Sequence, residues 1–445
     1  MNQTITALKS LIGSGIVSPE DEAYDVLRQV MFNHTAKPLA IVQCKTVDDV
    51  KAMVNFARDN HLKLSIRSGG HSGAGLSTND GGLVIDLNHF DQVEVIDATS
   101  NIVRVGAGAK WGNVARILEE YNLAISSGDT RSVGVGGLTL GGGIGWMVRE
   151  HGLSIDNLEA VELVTAEGKL VRASATENAD LFWAVRGGGG NFGVATAFEF
   201  RAVPCRGIVG GKLMFAAADA EAVLTNWSAY MRTAPEKLSS TALLFPGFGP
   251  EATPQVIIIV CYADDNETAA QQAIQPLREV APLIHEDVKP MAYADMLEDA
   301  RDVSAVKIRV RNGFVPKLSS DLIATFAKDF CKPGTPPVQI RSLGGAMTRV
   351  PSNAMAFEHR DAEALIIMNA MLPQVLSDEQ AEEKADSLWA SIRPFTHGAY
   401  VGFQTDNSKR STDEAYETNR ERLAKLKTLY DPQNLFDQNT NIRPS

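Results

Sequence analysis

One histidine of the sequence, His71, lies between glycines directly after a run with the pattern of a strand. The stretch RSGGHS covers residues 67–72 and follows LKLSI. Because glycine has no side chain to hold a bound group away, Gly69 and Gly70 let the backbone approach a ligand and expose successive N–H groups. Such N–H groups bind phosphate oxygens. The stretch predicts an anion-binding turn that directs the His71 imidazole at the bound group. The alternative is that His71 is a core or surface histidine without a role in binding.

A second glycine-rich stretch, GDTRSVGVGGLTLGGGIG, occupies residues 128–145. It is too rich in glycine for the interior of a helix or strand, so we expect turns and bulges here. Taken alone, this stretch is as well explained by purely structural tight turns as by a binding loop. Together with RSGGHS it supplies a second loop of exposed N–H groups, and two such loops are what a pyrophosphate requires.

The third stretch, VRGGGGNFGVATAFEF, contains a formal G-x-G-x-x-G at Gly188, Gly190 and Gly193. A Rossmann fingerprint needs a strand before the glycines and a helix after them. Here NADLFWAVR predicts a helix capped by Asn178, and VATAFEF predicts a strand. The inverted order excludes the Rossmann fold, and the lack of G-x-x-x-x-G-K-[ST] excludes phosphate-loop ATPases.

The elements that must position these loops change in character near residue 204. Before it, short strands alternate with helices, including a helix opened by Thr46 with Asp49 three residues on, and two hairpins follow. After it, longer strands such as PQVIIIVCYA alternate with amphipathic helices such as DEQAEEKADSLWASIR, which predicts a separate α+β layer. The tail holds a helix stopped at Asp431-Pro432, and we expect it to fold back onto the first half.

Composition narrows the class of partner. The 445 residues are 44% hydrophobic and carry a formal net charge of -12, which argues against binding to a nucleic-acid backbone. The N-terminus lacks a signal-peptide core and the longest apolar run is too short to span a bilayer, so we expect a cytoplasmic protein without membrane contact. The cysteines lack metal-type spacing, so we expect buried reduced thiols and no metal site at Cys44, Cys205, Cys261 and Cys331.

Five blocks in order carry a family resemblance: RSGGHS, DGGLVIDL, VGVGGLTLGGGIGWMVREHGLSIDNL, DLFWAVRGGGGNFGVAT and LYDPQNLFDQNTNI. They resemble the berberine-bridge-enzyme-like branch of the FAD-linked oxidases, whose flavin domain is of the type found in p-cresol methylhydroxylase and vanillyl-alcohol oxidase. The pattern is most similar to bacterial members of the 6-hydroxy-D-nicotine-oxidase-like group. The resemblance spans nearly the whole first half and the tail.

The resemblance implies an α+β, two-domain flavoprotein. The FAD-binding domain would cover residues 1–204, with 36–204 as its nucleotide-binding core. A substrate domain, built as an antiparallel sheet with helices, would cover residues 205–400. Residues 401–445 would return to the FAD-binding domain.

The resemblance also implies that FAD is attached covalently, through its 8α-methyl carbon, to His71. Many relatives add a second bond from a cysteine, but Thr130 occupies that position here, so we expect a single link. Those relatives also carry an aromatic residue where this chain has Ile144. The cofactor-binding residues implied beside His71 are Arg67, Ser68, Gly69, Gly70, Ser72, Gly128, Thr130, Gly134, Gly137, Leu138, Gly141, Gly142, Asn157, Gly193, Val194, Asn439 and Asn441.

For chemistry, the family places a strand with a tyrosine over the flavin, and AYVGF supplies Tyr400, with Gly402 where asparagine is frequent. Tyr400 and Gly402 would share one strand face. Tyr400 is either the base that takes the substrate proton or a packed strand tyrosine. Arg341, which shares a strand face with Gln339, either binds substrate or anionic flavin or is a structural arginine. The FEHRD segment, with His359 and Arg360, fits a domain-interface cluster equally well.

The expected function is therefore oxidation of a small organic substrate, an alcohol, sugar, amine, or polyketide- or alkaloid-type molecule, by hydride transfer to flavin N5. Dioxygen is the expected acceptor, giving hydrogen peroxide. The alternatives are a dehydrogenase with another acceptor and a flavin-binding protein without turnover. Fold alone does not choose a substrate. We expect a monomer or homodimer.

Overall fold

The computed structural model describes residues 2–33, 35–247, 253–300 and 303–445. The strands up to residue 204 are short. They are β1 (Ile16–Val17), β2 (Ala40–Gln43), β3 (Leu64–Arg67), β4 (Leu83–Asp86), β5 (Val93–Asp97), β6 (Ile102–Gly106), β7 (Leu123–Ala124), β8 (Leu158–Val164), β9 (Leu170–Ser174), β10 (Val194–Arg201) and β11 (Val203–Pro204). The helices are α1 (Asn2–Ile12), α2 (Tyr24–Leu27), α3 (Val47–Asp59), α4 (Trp111–Glu119), α5 (Val135–Gly141), α6 (Val148–His151) and α7 (Ala179–Val185).

The first half contains two main sheets. In the order β1-β2-β4-β3, the last three strands run parallel and β1 is antiparallel to β2. The order β5-β6-β10-β8-β9 is antiparallel and includes both predicted hairpins. Thr46 and Asp49 form the predicted capping box at the start of α3. The glycine loops lie in the connections between these strands, where the backbone N–H groups are not used in hydrogen bonds between strands.

The second half is one antiparallel layer covered by helices. Its strands are β12 (Ile208–Ala216), β13 (Leu238–Phe245), β14 (Gln255–Tyr262), β15 (Leu283–Met291), β16 (Val306–Val315), β17 (Val338–Ser342) and β18 (Ala364–Pro373). Its helices are α8 (Ala220–Met231), α9 (Glu267–Arg278), α10 (Tyr293–Met296), α11 (Ser320–Phe330), α12 (Ala346–Arg349) and α13 (Asp378–Trp389). The order β15-β12-β14-β13-β17-β18-β16 is antiparallel at every pairing. The α+β class and the antiparallel second layer are as predicted.

Alternation along these strands gives the sheet two different faces. Ala242 and Ile340 belong to the core beneath the helices, together with Trp227 of α8. Thr241 and Arg341 are paired neighbours on the opposite face. That second face is the one that meets the glycine loops.

Two further helices, α14 (Lys409–Tyr416) and α15 (Arg420–Tyr430), follow the layer. Leu423 and Phe436 are fully buried in the core of the first half. A separate apolar cluster joins the halves, where Ile144 and Ile155 pack with Phe357 and Tyr400. The site described below lies along this boundary.

The cysteines are free thiols among the described residues. Cys44 and Cys261 are buried as predicted, whereas Cys205 and Cys331 are only partly buried, so that part of the prediction is wrong. Both sit near the ends of elements, where sequence pattern is a poor guide to burial. None of the helices in the described ranges combines the length and apolar composition that a membrane span requires.

Candidate active site

The first two glycine loops touch along their backbones. A Cβ atom on Gly69 would lie 2.2 Å from the backbone nitrogen of Gly134, and one on Gly134 would lie 2.2 Å from that of Gly69. The Ser68 hydroxyl donates to the Ala107 carbonyl at 2.5 Å and accepts from the Gly136 N–H at 3.3 Å. Any side chain at either glycine would separate the loops, so both glycines are required by this contact.

The second glycine stretch contains a helix, so the prediction of turns alone is wrong: Val135–Gly141 forms α5. A Cβ on Gly136 would lie 3.0 Å from the Ala107 carbonyl oxygen, so a close tertiary contact requires the small residue and overrides its low helix propensity. On the next residue, Gly137, a Cβ would meet no described atom within 4 Å. This side of α5 is therefore open to a ligand.

His71 lies beside this contact, with Nε2 3.0 Å from the Ser132 hydroxyl. Burial, and secondly the charge of Lys110, lower the pKa of His71 below its ordinary value. The ring is therefore neutral near pH 7 and keeps the nitrogen lone pair that a carbon–nitrogen bond needs. Ser132 was not predicted, although it lies in the same loop as Thr130.

Two cations support the first loop from behind. The Arg67 guanidinium pairs with the Asp86 carboxylate at 2.7 Å, both side chains being buried, and also donates to the Leu27 carbonyl. Lys110, another residue missed from sequence, donates from Nζ to the Ser68 carbonyl at 2.5 Å. The side chain of Arg67 thus anchors the strand that carries the loop, and its contact with cofactor stays a prediction.

An ion pair connects the second loop to the sheet of the second half. The Arg341 guanidinium donates to Asp129, which sequence reasoning missed, and to the Gln339 side-chain oxygen at 2.8 Å. It also lies 4.8 Å from the Phe403 ring centre. Burial raises the pKa of Asp129, but the Arg341 charge and a 2.9 Å hydrogen bond from Thr130 outweigh it and hold the pKa below its usual range.

Tyr400 does not lie on a strand, so that prediction is wrong: it is the N-cap of a 3-10 helix, Val401–Phe403. The Tyr400 hydroxyl accepts from the Gly143 N–H at 3.0 Å. A Cβ on Gly402 would lie 2.5 Å from the Tyr400 ring, so the ring can take this place only because residue 402 is glycine. Burial raises the pKa of the Tyr400 phenol. Its role as a base stays a prediction.

The third glycine stretch is joined to the C-terminal segment by Asn191, a residue missed from sequence. Its amide donates to the Gly188 carbonyl at 2.8 Å and to the Thr440 carbonyl at 3.1 Å, while its carbonyl accepts from the Ile442 N–H at 3.0 Å. Asn439 donates to the Gly190 carbonyl at 3.3 Å. The segment that carries Asn439 and Asn441 is therefore fixed against the third glycine stretch, just before Gly193 and Val194 in the chain.

Other residues predicted to contact the cofactor make contacts within their own part of the chain. Asn157 donates to the carbonyls of His151 and Leu153 at 2.8 and 3.0 Å and closes the turn after α6. A Cβ on Gly128 would lie 2.7 Å from the Leu138 side chain, so these two pack together. Of the other predicted residues, Gly70 and Ser72 lie in the first glycine stretch. Gly141 is the last residue of α5, and Gly142 follows it in the second stretch.

Residues around the loops fit a bound FAD. The side-chain oxygens of Asn441 and Thr139 are buried without a hydrogen-bond partner among the described residues. Buried polar atoms in native proteins nearly always have a partner, so such orphans indicate a missing one. With the open side of Gly137 and the neutral His71, they favour a polar ligand that extends along the loops.

Comparison with known proteins agrees with this geometry. Residues 38–174 match the FAD binding domain family, and residues 399–443 match the berberine and berberine like family. The chain is 28% identical to an FAD-linked oxidoreductase of Dictyostelium discoideum over 415 residues, covering 92% of this chain and 89% of that protein.

Two oxidases are similar over nearly their whole length. The (R)-6-hydroxynicotine oxidase of Paenarthrobacter nicotinovorans is 28% identical over 446 residues, 96% of each chain. The solved structure of xylooligosaccharide oxidase from Myceliophthora thermophila superposes with a TM-score of 0.87 at 25% identity, covering 99% of each chain. With both family segments and the loop geometry in place, the chain belongs to the berberine-bridge-enzyme-like FAD-linked oxidoreductases and is an enzyme.

Proposed function

We propose that this enzyme holds its FAD by one covalent bond from His71 and oxidises a small organic molecule. When bound, the flavin supplies a hydride acceptor at N5. Dioxygen would take up the electrons and give hydrogen peroxide. The observation that carries the proposal is the neutral imidazole of His71 beside the contact of the two glycine loops, with Nε2 3.0 Å from Ser132.

A single bond is supported by the residue at position 130. Thr130 has no sulfur, and its hydroxyl already donates to Asp129 at 2.9 Å. The four cysteines of the chain, at positions 44, 205, 261 and 331, lie outside the second glycine stretch. The one bond of this proposal is therefore the bond from His71, the position that the family resemblance implies.

The sheet face that meets the loops supports the proposed substrate class. Thr241, Arg341 and Leu365 lie side by side across three strands, and Thr241 and Arg341 surround one small space together with Ile144. A surface that mixes hydroxyl, cation and aliphatic groups suits a ligand with both polar and apolar parts. We therefore propose an alcohol, sugar, amine, or alkaloid- or polyketide-type substrate, in line with the nicotine and xylooligosaccharide names of the relatives.

A proton must leave the substrate as the hydride leaves carbon. We propose Tyr400 as its acceptor and Arg341 as the group that binds a substrate oxygen. Burial raises the pKa of Tyr400, and the charge of Arg341 acts against that increase. Approach of a cationic or polarised substrate would shift the balance further towards the phenolate.

An anaerobic reduction screen tests the function. Purified holoenzyme is mixed without oxygen with alcohols, sugars, amines and alkaloids, and the loss of flavin absorbance is followed. A substrate is expected to bleach the flavin, and admitted oxygen to restore it with one peroxide per turnover. Reoxidation by a quinone dye but not by oxygen would replace the oxidase by a dehydrogenase. Complete release of flavin by acid would overturn the covalent part independently of turnover.

A further inference from the structure

A second cavity lies at the end of the second-half sheet, next to the small space around Thr241 and Arg341, with which it shares Ser342. It has a volume of about 310 Å³ and is lined by residues of α6, α8, the loop before α12 and β18. Its apolar wall includes Trp227, Met231 and Leu343. Volumes of about 300 Å³ and more are typical of sites for small ligands.

Among the arginines around this cavity, Arg232 and Arg349 are paired with carboxylates and Arg149 is not, while the exposed Asp361 lies at the rim. Arg232 makes a two-point ion pair with Glu363, its Nη2 lying 2.9 Å from Oε1, and Arg349 pairs with Glu236. Arg149, which also lines the cavity, is 6% exposed. It donates only to neutral oxygens and has no carboxylate partner among the described residues.

The partners of Arg149 leave its charge uncompensated. Its guanidinium donates to the Leu343 carbonyl at 2.7 Å, the Ala234 carbonyl at 3.2 Å and the Ser342 hydroxyl at 3.4 Å, while its Nε has no partner in the described structure. A buried cation is usually paired or bound to an anion, because removal from water is costly. The negative charge of Glu236 acts on the Arg149 guanidinium, but the Glu236 carboxylate forms its ion pair with Arg349.

Two backbone amides add to this positive end of the cavity. Gly344 and Gly345 line it, and both have positive φ, 101° and 58°. Neither N–H donates to an acceptor in the described part of the chain. Backbone N–H groups are strong hydrogen-bond donors, so two without an acceptor add donor capacity at the lining of this cavity. The cavity thus combines a buried guanidinium, two unpaired amides and an apolar wall.

We infer that this cavity binds a small monocarboxylate, with the carboxylate at Arg149 and a short apolar body against Trp227 and Met231. One negative charge matches the one unpaired cation, since Arg232 and Arg349 already have carboxylates. Asp361, at the rim with its side chain 80% exposed, would repel a second negative charge. The ligand class follows from charge and shape at this cavity and does not depend on the flavin chemistry.

Calorimetric titration of the holoenzyme with sodium butyrate tests the inference, with butyramide as the neutral match of the same shape. Butyrate is expected to bind saturably at one site, and butyramide about tenfold or more weaker, a difference of roughly 1.4 kcal/mol. Arg149→Met should weaken butyrate by about the same factor, and Arg149→Lys by less. Equal binding of butyrate and butyramide would overturn the assignment.

A variant at the cavity mouth keeps the test independent of the buried arginine, whose replacement could disturb folding. Thr348 lines the cavity and is exposed, so Thr348→Phe should fill the entrance and weaken butyrate at least about tenfold while leaving the flavin spectrum unchanged. Butyrate binding that survives both Thr348→Phe and Arg149→Met would place it elsewhere and refute the site. Tighter binding of inorganic phosphate than of butyrate would also refute it, since the apolar wall would then have no role.

Discussion

The Tyr400 hydroxyl is hydrogen-bonded to the Gly143 N–H at 3.0 Å, so a residue near the C-terminus is fixed to the end of the second glycine stretch. The ring is also packed at its edge by Phe357 and Phe403. Gly402 gives the ring this position, because any Cβ there would overlap it. The phenol is thus oriented by the fold before any substrate arrives.

If Tyr400 takes the substrate proton, Tyr400→Phe should slow anaerobic flavin reduction by roughly 10²–10⁴, the usual contribution of one positioned acid–base group. FAD content and reoxidation by oxygen should not change. Tyr230→Phe is the matched control, since its hydroxyl donates to the Ala273 carbonyl in the outer helices. Reduction at the wild-type rate in Tyr400→Phe would return Tyr400 to a packing role.

His71→Ala should abolish covalent attachment while the glycine loops still bind FAD. In wild type, acid precipitation should leave the yellow chromophore in the pellet and a flavin peptide should contain residue 71. In the variant the flavin should pass into the supernatant. His89→Ala, at an exposed site, is the control and should behave as wild type. Wild-type flavin that is fully acid-extractable would refute the bond.

Thr130 sets the number of bonds. The mass of the wild-type flavin peptide should correspond to a single protein linkage, because threonine cannot form the second one. Thr130→Cys should place a thiol beside Asp129, and a second linkage to the segment around residue 130 is expected in part of the protein. Thr130→Ser, which keeps the hydroxyl, should remain singly linked. A doubly linked wild-type peptide contradicts the prediction.

His359 should make stability depend on pH. Its ring stacks on Phe314 at 4.4 Å, its Nε2 has no described partner, and burial, with nearby His397, lowers its pKa from 6.5 to about 4. Because the folded state resists protonation, its contribution is complete above pH 6.5 and is lost as pH falls towards 4.

The loss from His359 amounts to at most about 3 kcal/mol, at roughly 1.4 kcal/mol per pKa unit. His359→Phe should remove this part of the slope, so its unfolding free energy should fall less than that of wild type between pH 7 and pH 4.5 in urea titrations. His285→Phe, at an exposed site, is the control. Parallel slopes for wild type and His359→Phe would show that the ring is not the titrating group.

The C-terminal segment contains a fully buried ion pair. Lys427 Nζ lies 2.6 Å from the Asp431 carboxylate, both side chains being 0% exposed. Lys427→Met should cost about 3–5 kcal/mol because it leaves a buried carboxylate without its cation. Lys425→Met, which breaks the exposed pair with Glu421, should change stability by less than about 0.5 kcal/mol. Chemical unfolding of both variants gives the comparison, and equal effects would count against the argument.

Local patterns in the sequence predicted much of this molecule. The Thr46 capping box, the two hairpins and the strand after Gly193 depend on neighbouring residues, and all are present. The sequence does not predict the α5 helix, because the contact of Gly136 with Ala107 that accounts for one of its glycines joins residues distant in sequence. The composition of AYVGF favours a strand at Tyr400, whereas Val401–Phe403 forms a 3-10 helix in which Gly402 leaves room for the Tyr400 ring.

The candidate site was predictable in its loops and less so in its partners. His71 and the glycines belong to short contiguous motifs. Asp129, Ser132 and Lys110 act through contacts with residues that are distant in sequence, such as the Asp129–Arg341 pair between the two halves. No local spacing encodes such a pair, so the sequence alone could indicate Arg341 but not what it contacts.

The path of the C-terminal segment has a consequence for biosynthesis. Because Ile442 and Phe436 are buried in the core of the first half, that core lacks part of its interior until residues 436–442 have been synthesised. The sheet of the second half needs no such late residue for its own core, which ends at Ile392. We therefore expect the core of the second-half sheet to be complete earlier in synthesis than the core of the first half, which has to wait for residues 436–442.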